Sequence, residues 1–179
     1  MTILPTAPIV ILARPQMGEN VGAAARAMWN FELDRMRIVA PRDGWPNPKA
    51  VAMASGAGRL LDEAQLSDRV IDALADCTYV FATTARHRGL TKPIFSPERA
   101  MELAREKIAA GERVAVLFGP ERAGLENEDV AQANAIISVM GQLNPHLRDV
   151  TDFNHKLWAH LFIMSDFLLD VESPYPKPS

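Results

Sequence analysis

One recurrence constrains the fold more than any other feature: short, continuous apolar runs separated by stretches with helical character. Ile9-Val10-Ile11-Leu12, Ile38-Val39-Ala40, Tyr79-Val80-Phe81-Ala82, Val114-Ala115-Val116-Leu117-Phe118 and Ile136-Ile137-Ser138-Val139 are such runs. Each reads as a strand, and strands apolar at successive positions suit a sheet covered on both faces. Helix signals lie between them. Val21 to Phe31 is alanine-rich, with Asn20 placed to cap it. Ser67 to Ala75 is a second candidate. Ser96-Pro97-Glu98 opens a third with a cap, a first-turn proline and an acid. Glu126 to Ala133 makes a short fourth. Phe153 to Asp170 is the most apolar, with Leu157, Trp158, Leu161, Phe162, Met164, Phe167 and Leu168 covering more than one face. Such a helix is buried in the core or against a partner chain. The alternation predicts an α/β fold with a mostly parallel sheet and helices on both faces.

The 179 residues read as one domain, with 48% apolar and 23% charged residues, an ordinary globular balance. No internal repeat is visible, and the proline-rich residues 171–179 read as a flexible, exposed end. Met1 to Pro8 carries no basic region followed by a long apolar run, and Lys156, His160, Asp166 and Asp170 interrupt the last helix. The expectation is a soluble, cytoplasmic protein with no membrane contact. A single cysteine, Cys77, excludes an internal disulfide and a multi-cysteine metal site. His146, His155 and His160 lack the i, i+4 spacing that puts two ligands on one helix face, so no metal is expected. The net charge of −3 argues against a generally basic nucleic-acid binder. It leaves room for a local patch. Arg86-His87-Arg88-Gly89-Leu90-Thr91-Lys92 carries three positive charges and no acid, and reads either as a phosphate contact or as a solvated loop.

Ligands of open parallel sheets bind beyond the carboxyl ends of the strands, so the loops there matter most. After the first strand comes Arg14-Pro15-Gln16-Met17-Gly18-Glu19-Asn20-Val21-Gly22-Ala23-Ala24-Ala25-Arg26. It has neither the glycine spacing of a dinucleotide loop nor the Gly-Lys-Ser/Thr of a P-loop. Its small residues let a helix approach something closely, and Arg26 needs a carboxylate, a phosphate or water. After the third strand comes Thr83-Thr84-Ala85-Arg86, whose hydroxyls either bind a ligand or cap a turn. After the fourth comes Gly119-Pro120-Glu121-Arg122-Ala123-Gly124-Leu125, where two glycines permit tight bends and close approach of a ligand.

Taken together, these loops resemble the SPOUT superfamily, specifically its TrmH-type RNA ribose 2′-O-methyltransferases. Asn20-Val21-Gly22-Ala23-Ala24-Ala25-Arg26-Ala27-Met28 is similar to that family's first motif, and Leu117 to Leu125 to its second. Pro41-Arg42, Ala54-Ser55-Gly56-Ala57 and Thr83-Thr84-Ala85-Arg86 add a likeness to the TrmJ branch, which methylates the tRNA anticodon loop. The resemblance implies a sheet closed by a C-terminal trefoil knot and S-adenosylmethionine bent within the knot. It places Thr83, Thr84, Ala85, Gly119, Glu121, Ile137, Asp152, Phe153 and Asn154 at or near that cofactor. It implies Arg26 and Asn20 as catalytic residues, and Arg14, Arg86, Arg88 and Arg122 as RNA contacts. The partners it implies are RNA, in particular tRNA, and a second copy of the chain, with Arg26 acting toward RNA held by that copy.

The sequence also departs from the family pattern. Asn144-Pro145 of the third motif is present, but Asp152-Phe153-Asn154 stands where Ser-Leu-Asn is usual. Asp152 is still a good helix cap. Met140-Gly141-Gln142 is inserted before Asn144-Pro145, and Glu32 replaces the glycine usual after Asn30-Phe31. The first two motifs favour an enzyme. The altered third favours a non-catalytic RNA-binding or assembly homodimer, and a small-molecule α/β enzyme is a third reading.

Overall fold

The computed structural model describes residues 7–30, 32–84, 91–120 and 123–138. Seven strands form one sheet: β1 (Ile9–Ala13), β2 (Met36–Val39), β3 (Gln65–Ser67), β4 (Tyr79–Thr84), β5 (Ile94–Phe95), β6 (Val114–Phe118) and β7 (Ala135–Ser138). Their spatial order is β3-β2-β1-β6-β4-β7-β5, and every neighbouring pair is parallel. The helices are α1 (Gly18–Asn30), α2 (Pro48–Ala54), α3 (Gly58–Asp62), α4 (Val70–Ala73), α5 (Pro97–Ala109) and α6 (Asn127–Ala131), with a 3₁₀ turn at Ser55–Ala57.

The side-chain alternation of β1 separates two cores. Val10 and Leu12 pack with residues of α1, α2, α3 and α5 on one face. Ile9, Ile11 and Ala13 pack with Val70 and Ala73 of α4 and Val130 of α6 on the other. Successive residues of a strand point to opposite faces, so a strand buried throughout needs a layer on each side. Helices on both faces of a parallel sheet are therefore observed as expected.

The five expected strands are present within a residue or two, and two short ones join them at the sheet's edges. β3 and β5 have three and two residues, too few to carry an apolar run. Ser67 belongs to β3, in register with Val39, so the expected helix from Ser67 shrinks to Val70–Ala73. β2 ends at Val39, because Ala40 turns to a left-handed φ of 42°. α1 begins at Gly18, which corrects Asn20 from cap to first-turn residue, its N–H bonded to Met17 O at 3.1 Å. α2 and α3 had no sequence signal assigned to them. The expected helix Phe153 to Asp170 and the end of the fifth run at Val139 lie outside the described residues.

Two connections interleave. β4 leads to β5 past β7, and β6 leads to β7 past β4. Ordinary α/β sheets avoid connections that cross in this manner. Among the described residues no helix is long and apolar enough to cross a membrane.

Candidate functional site

The loops singled out above emerge at one end of the sheet, because parallel strands all point their carboxyl ends the same way. β6, β4 and β7 are neighbours there. Ala82 is in register with Leu117, Thr83 with Ile137 and Thr84 with Ser138. Thr83, Thr84 and Gly119 are thus brought together by adjacent strands, although far apart in sequence. Thr83 and Thr84 are both buried. The Thr83 hydroxyl donates to Leu117 O at 3.0 Å, tying β4 to β6 just below the loops. Ile137 belongs here by register, but it is fully buried in the core.

Gly119 has a specific reason to be glycine. A Cβ there would lie 2.3 Å from Leu125 N and 2.5 Å from the carbonyl carbon of Gly124. The group that approaches Gly119 is therefore its own loop folding back. Gly124 N–H donates to Pro120 O at 2.9 Å, and Gly124 turns at a φ of 70°. Leu125 then anchors in the core, and Glu126 caps α6 through a reciprocal box with Asp129, whose Oδ2 accepts from Glu126 N at 3.0 Å.

The small residues at the start of α1 serve helix packing. A Cβ on Gly22 would sit 2.2 Å from Ala50 O of α2, and one on Gly18 would sit 2.5 Å from the Asn47 side chain. Asn47 caps α2, with its Oδ1 accepting from Lys49 N at 3.0 Å. Asn20 lies in this packed region with only 3% of its surface exposed, and its Oδ1 has no hydrogen-bond partner among the described residues. An unsatisfied buried carbonyl costs about 1–3 kcal/mol, so it is an acceptor awaiting a donor.

Arg26 points into solvent, with no ion pair among the described residues. It follows Gly18 by two turns of α1, about 12 Å along the axis at 1.5 Å per residue. The helix leads from the carboxyl end of β1 back to the start of β2, with Arg26 in its third turn. Nearby apolar surface is exposed: Trp29 at 44% and Met53 at 42%.

Two expected phosphate contacts are engaged elsewhere. Arg14 has a left-handed φ of 48° and directs its guanidinium to Asp129: Nη2 bonds Oδ2, and Nη1 lies 3.5 Å from Oδ1. That hydrogen bond raises the guanidinium pKa. Lys92 donates to Ala131 O at 2.9 Å and to Ala133 O. Asp129 and the α6 carbonyls were not legible as partners. Glu126-Asn127-Glu128-Asp129 signals a cap, but nothing local points to Arg14, 115 residues away. Ala85, Arg86, Arg88, Glu121, Arg122, Asp152, Phe153, Asn154 and the three C-terminal histidines lie outside the described residues. Among the described residues no group of three His, Cys, Asp or Glu could hold a metal.

Comparison with known proteins adds a family. The model of the SpoU rRNA methylase family matches residues 7–144, and that of a domain of unknown function (DUF4290) matches residues 124–179. The chain is 39% identical over 121 residues to the tRNA (cytidine/uridine/adenosine-2′-O-)-methyltransferase TrmJ of Pseudomonas aeruginosa, covering 68% of this chain and 47% of that protein. It is 35% identical over 130 residues to the tRNA (cytidine/uridine-2′-O-)-methyltransferase TrmJ of Escherichia coli, covering 73% of this chain and 52% of that protein. It therefore spans about half the length of these curated relatives. The crystal structure of TrmJ from Z. mobilis matches with a TM-score of 0.79 and 47% identity, over 96% of this chain and 73% of that one.

Proposed function

The chain belongs to the SpoU rRNA methylase family, and from that membership we propose that it is an S-adenosylmethionine-dependent ribose 2′-O-methyltransferase acting on tRNA. The observation that carries the proposal is that one family match, residues 7–144, takes in both the Arg26 helix and the Gly119 turn. The tRNA substrate follows the TrmJ relatives. A tRNA substrate supports a cytoplasmic location.

The residues at the sheet's carboxyl end fit the cofactor. Gly119 lets its loop fold back tightly at the carboxyl end of β6, and in this reading the backbone groups of that loop hold the adenine. The buried Thr83 and Thr84 flank that loop across β4. Bound there, S-adenosylmethionine supplies an electrophilic methyl on a sulfonium. Ala85, Glu121, Ile137, Asp152, Phe153 and Asn154 complete the same pocket in this reading, and Arg86, Arg88 and Arg122 face the RNA.

The chain's own residues position the nucleophile. A ribose hydroxyl is a poor nucleophile until its proton is shared, and in-line placement supplies much of the rate. A guanidinium stays protonated at neutral pH. Arg26 therefore orients the hydroxyl and stabilises the developing alkoxide instead of abstracting the proton. The Oδ1 of Asn20, without a partner among the described residues, is an acceptor in the first turn of the same helix. The exposure of Arg26, together with exposed Trp29 and Met53, supports a homodimer in which Arg26 serves the partner's site. The interleaved β4–β5 and β6–β7 connections support a trefoil knot completed by residues after Ser138. Residues 1–179 then form one such domain, with 171–179 as its tail.

Calorimetry with S-adenosylhomocysteine and a methyl-transfer assay on tRNA test the reading. Wild type binds the ligand, and Arg26→Ala abolishes transfer while cofactor binding stays nearly intact. Wild type with no binding at millimolar ligand refutes the enzyme and leaves a non-catalytic homodimer. Equal loss of binding and transfer in Arg26→Ala makes Arg26 structural.

A further inference from the structure

We infer that Arg14 and Lys92 are positioning residues: they clamp α6 between the loops that follow β1 and β4, and so set the Gly119–Leu125 turn of the cofactor site. The inference rests on the methyltransferase reading above and adds two residues to its machinery.

α6 has only five residues, too short to hold its place by helix propensity. Its fixed points are external. At its first turn, the Asp129 side chain is 6% exposed and takes two cationic or polar donors, the Arg14 guanidinium and the Glu126 N–H. Glu126 Oε1 adds a longer approach, 4.0 Å from Arg14 Nε. At its carboxyl end, the Lys92 ammonium bonds the carbonyl of Ala131, the last helical residue, and that of Ala133 just past the cap. Arg14 directly follows β1, and Lys92 belongs to the β4–β5 connection. The two cations thus grip one short helix from the loops on either side of β6.

The turn before α6 transmits that grip. Leu125 N and the Gly124 carbonyl carbon lie where a Gly119 side chain would be, so a shift of α6 displaces the backbone against Gly119. Arg14 adopts a left-handed φ to reach Asp129, and a non-glycine residue held there signals that surrounding contacts determine it. Both cations are hydrogen-bonded within the chain, which argues against their use as phosphate contacts. Removing Arg14 leaves a buried carboxylate without its counter-ion.

The full-length chain tests this, with Arg14→Met, Arg14→Lys, Asp129→Asn, Lys92→Met and the Arg14→Met/Asp129→Asn pair. S-adenosylhomocysteine affinity is measured by calorimetry below each variant's melting temperature, and tRNA affinity as a function of salt. Arg14→Met and Asp129→Asn are each expected to weaken ligand binding by about tenfold or more. Arg14→Lys recovers part of the loss, and the double variant loses little more than either single one, as one shared interaction requires. The salt dependence of tRNA binding stays at the wild-type slope. A slope reduced by about 1 in Arg14→Met, with ligand affinity within about twofold of wild type, makes Arg14 a phosphate contact and overturns the inference. If Arg14→Met does not fold, Arg14→Lys and Lys92→Met decide. Weaker ligand binding at an unchanged slope supports the clamp, and wild-type ligand affinity in both overturns it. Wild type that binds neither ligand overturns the methyltransferase reading as well. Wild type that binds, matched by its variants, overturns this inference alone.

Discussion

Glu32 carries a left-handed φ of 59° at the end of α1. Glu32 N–H bonds Trp29 O at 3.3 Å and Leu33 N–H bonds Met28 O at 2.9 Å, the paired bonds of a Schellman motif, with Leu33 and Met28 both in the core. Glycine adopts this φ without the Cβ clash that a glutamate bears. Glu32→Gly is expected to stabilise the protein by about 0.5–1 kcal/mol, read as a higher urea midpoint at unchanged slope. At the same scale the sequence was legible where a signal is local. Ser96 caps α5, its Oγ accepting from Arg99 N at 3.1 Å, as its Ser-Pro-Glu neighbourhood predicts. Asn20 misled because an asparagine ahead of an alanine-rich run resembles a cap. The helix starts two residues earlier, at Gly18, which packs against Asn47, a contact that no local pattern encodes. Cys77 is half-buried, and burial is the main cause that pushes its thiol pKa up to about 11. Cys77 packs against the core on the α4 and α6 face of the sheet, as a small apolar side chain does.

At the scale of elements, α1 and α2 pack backbone to backbone through Gly22 and Ala50. Gly22→Val forces a Cβ into the space 2.2 Å from Ala50 O, so the helices must separate. The expected cost is about 1–3 kcal/mol in urea unfolding, with Arg26 displaced on the same helix. A second inter-element device lies away from the site. Arg37 on β2 meets Asp76 through two bonds of 2.5 and 2.8 Å, Arg113 ahead of β6 adds one of 2.7 Å, and Arg37 also bonds Ala73 O. The Arg37 hydrogen bond, with help from Arg113, holds the Asp76 carboxyl well below the usual carboxylate range. A depressed pKa gives stability that is present above the unfolded value of about 4 and is lost as pH falls toward the folded value. Wild type is therefore more stable than Asp76→Asn at pH 7, by no more than about 1 kcal/mol because Asp76 is 42% exposed. The gap narrows in urea melts taken below about pH 4. Neither device was legible, since each joins residues that only the folded sheet makes neighbours. The edge strands β3 and β5 escaped for another reason: an edge needs few residues and no apolar run.

At the scale of the molecule, continuous apolar runs in alternation with helices were enough to predict a parallel sheet with two covered faces, because burial on both sides is what such runs require. The strand order was not legible, since hydrophobic pattern says which strands are central and not which are adjacent. That order decides the site: it brings Thr83, Thr84 and Gly119 side by side while leaving Arg26 on the far reach of α1. In the proposed function this arrangement methylates a ribose hydroxyl of tRNA. The most direct measurement is mass spectrometry of nucleosides from tRNA lacking 2′-O-methyl groups, after incubation with wild type or Arg26→Ala and isotopically labelled S-adenosylmethionine. The account predicts label on ribose 2′-oxygens with wild type and none with Arg26→Ala. Label on a base, or no label with wild type that binds both cofactor and tRNA, contradicts it.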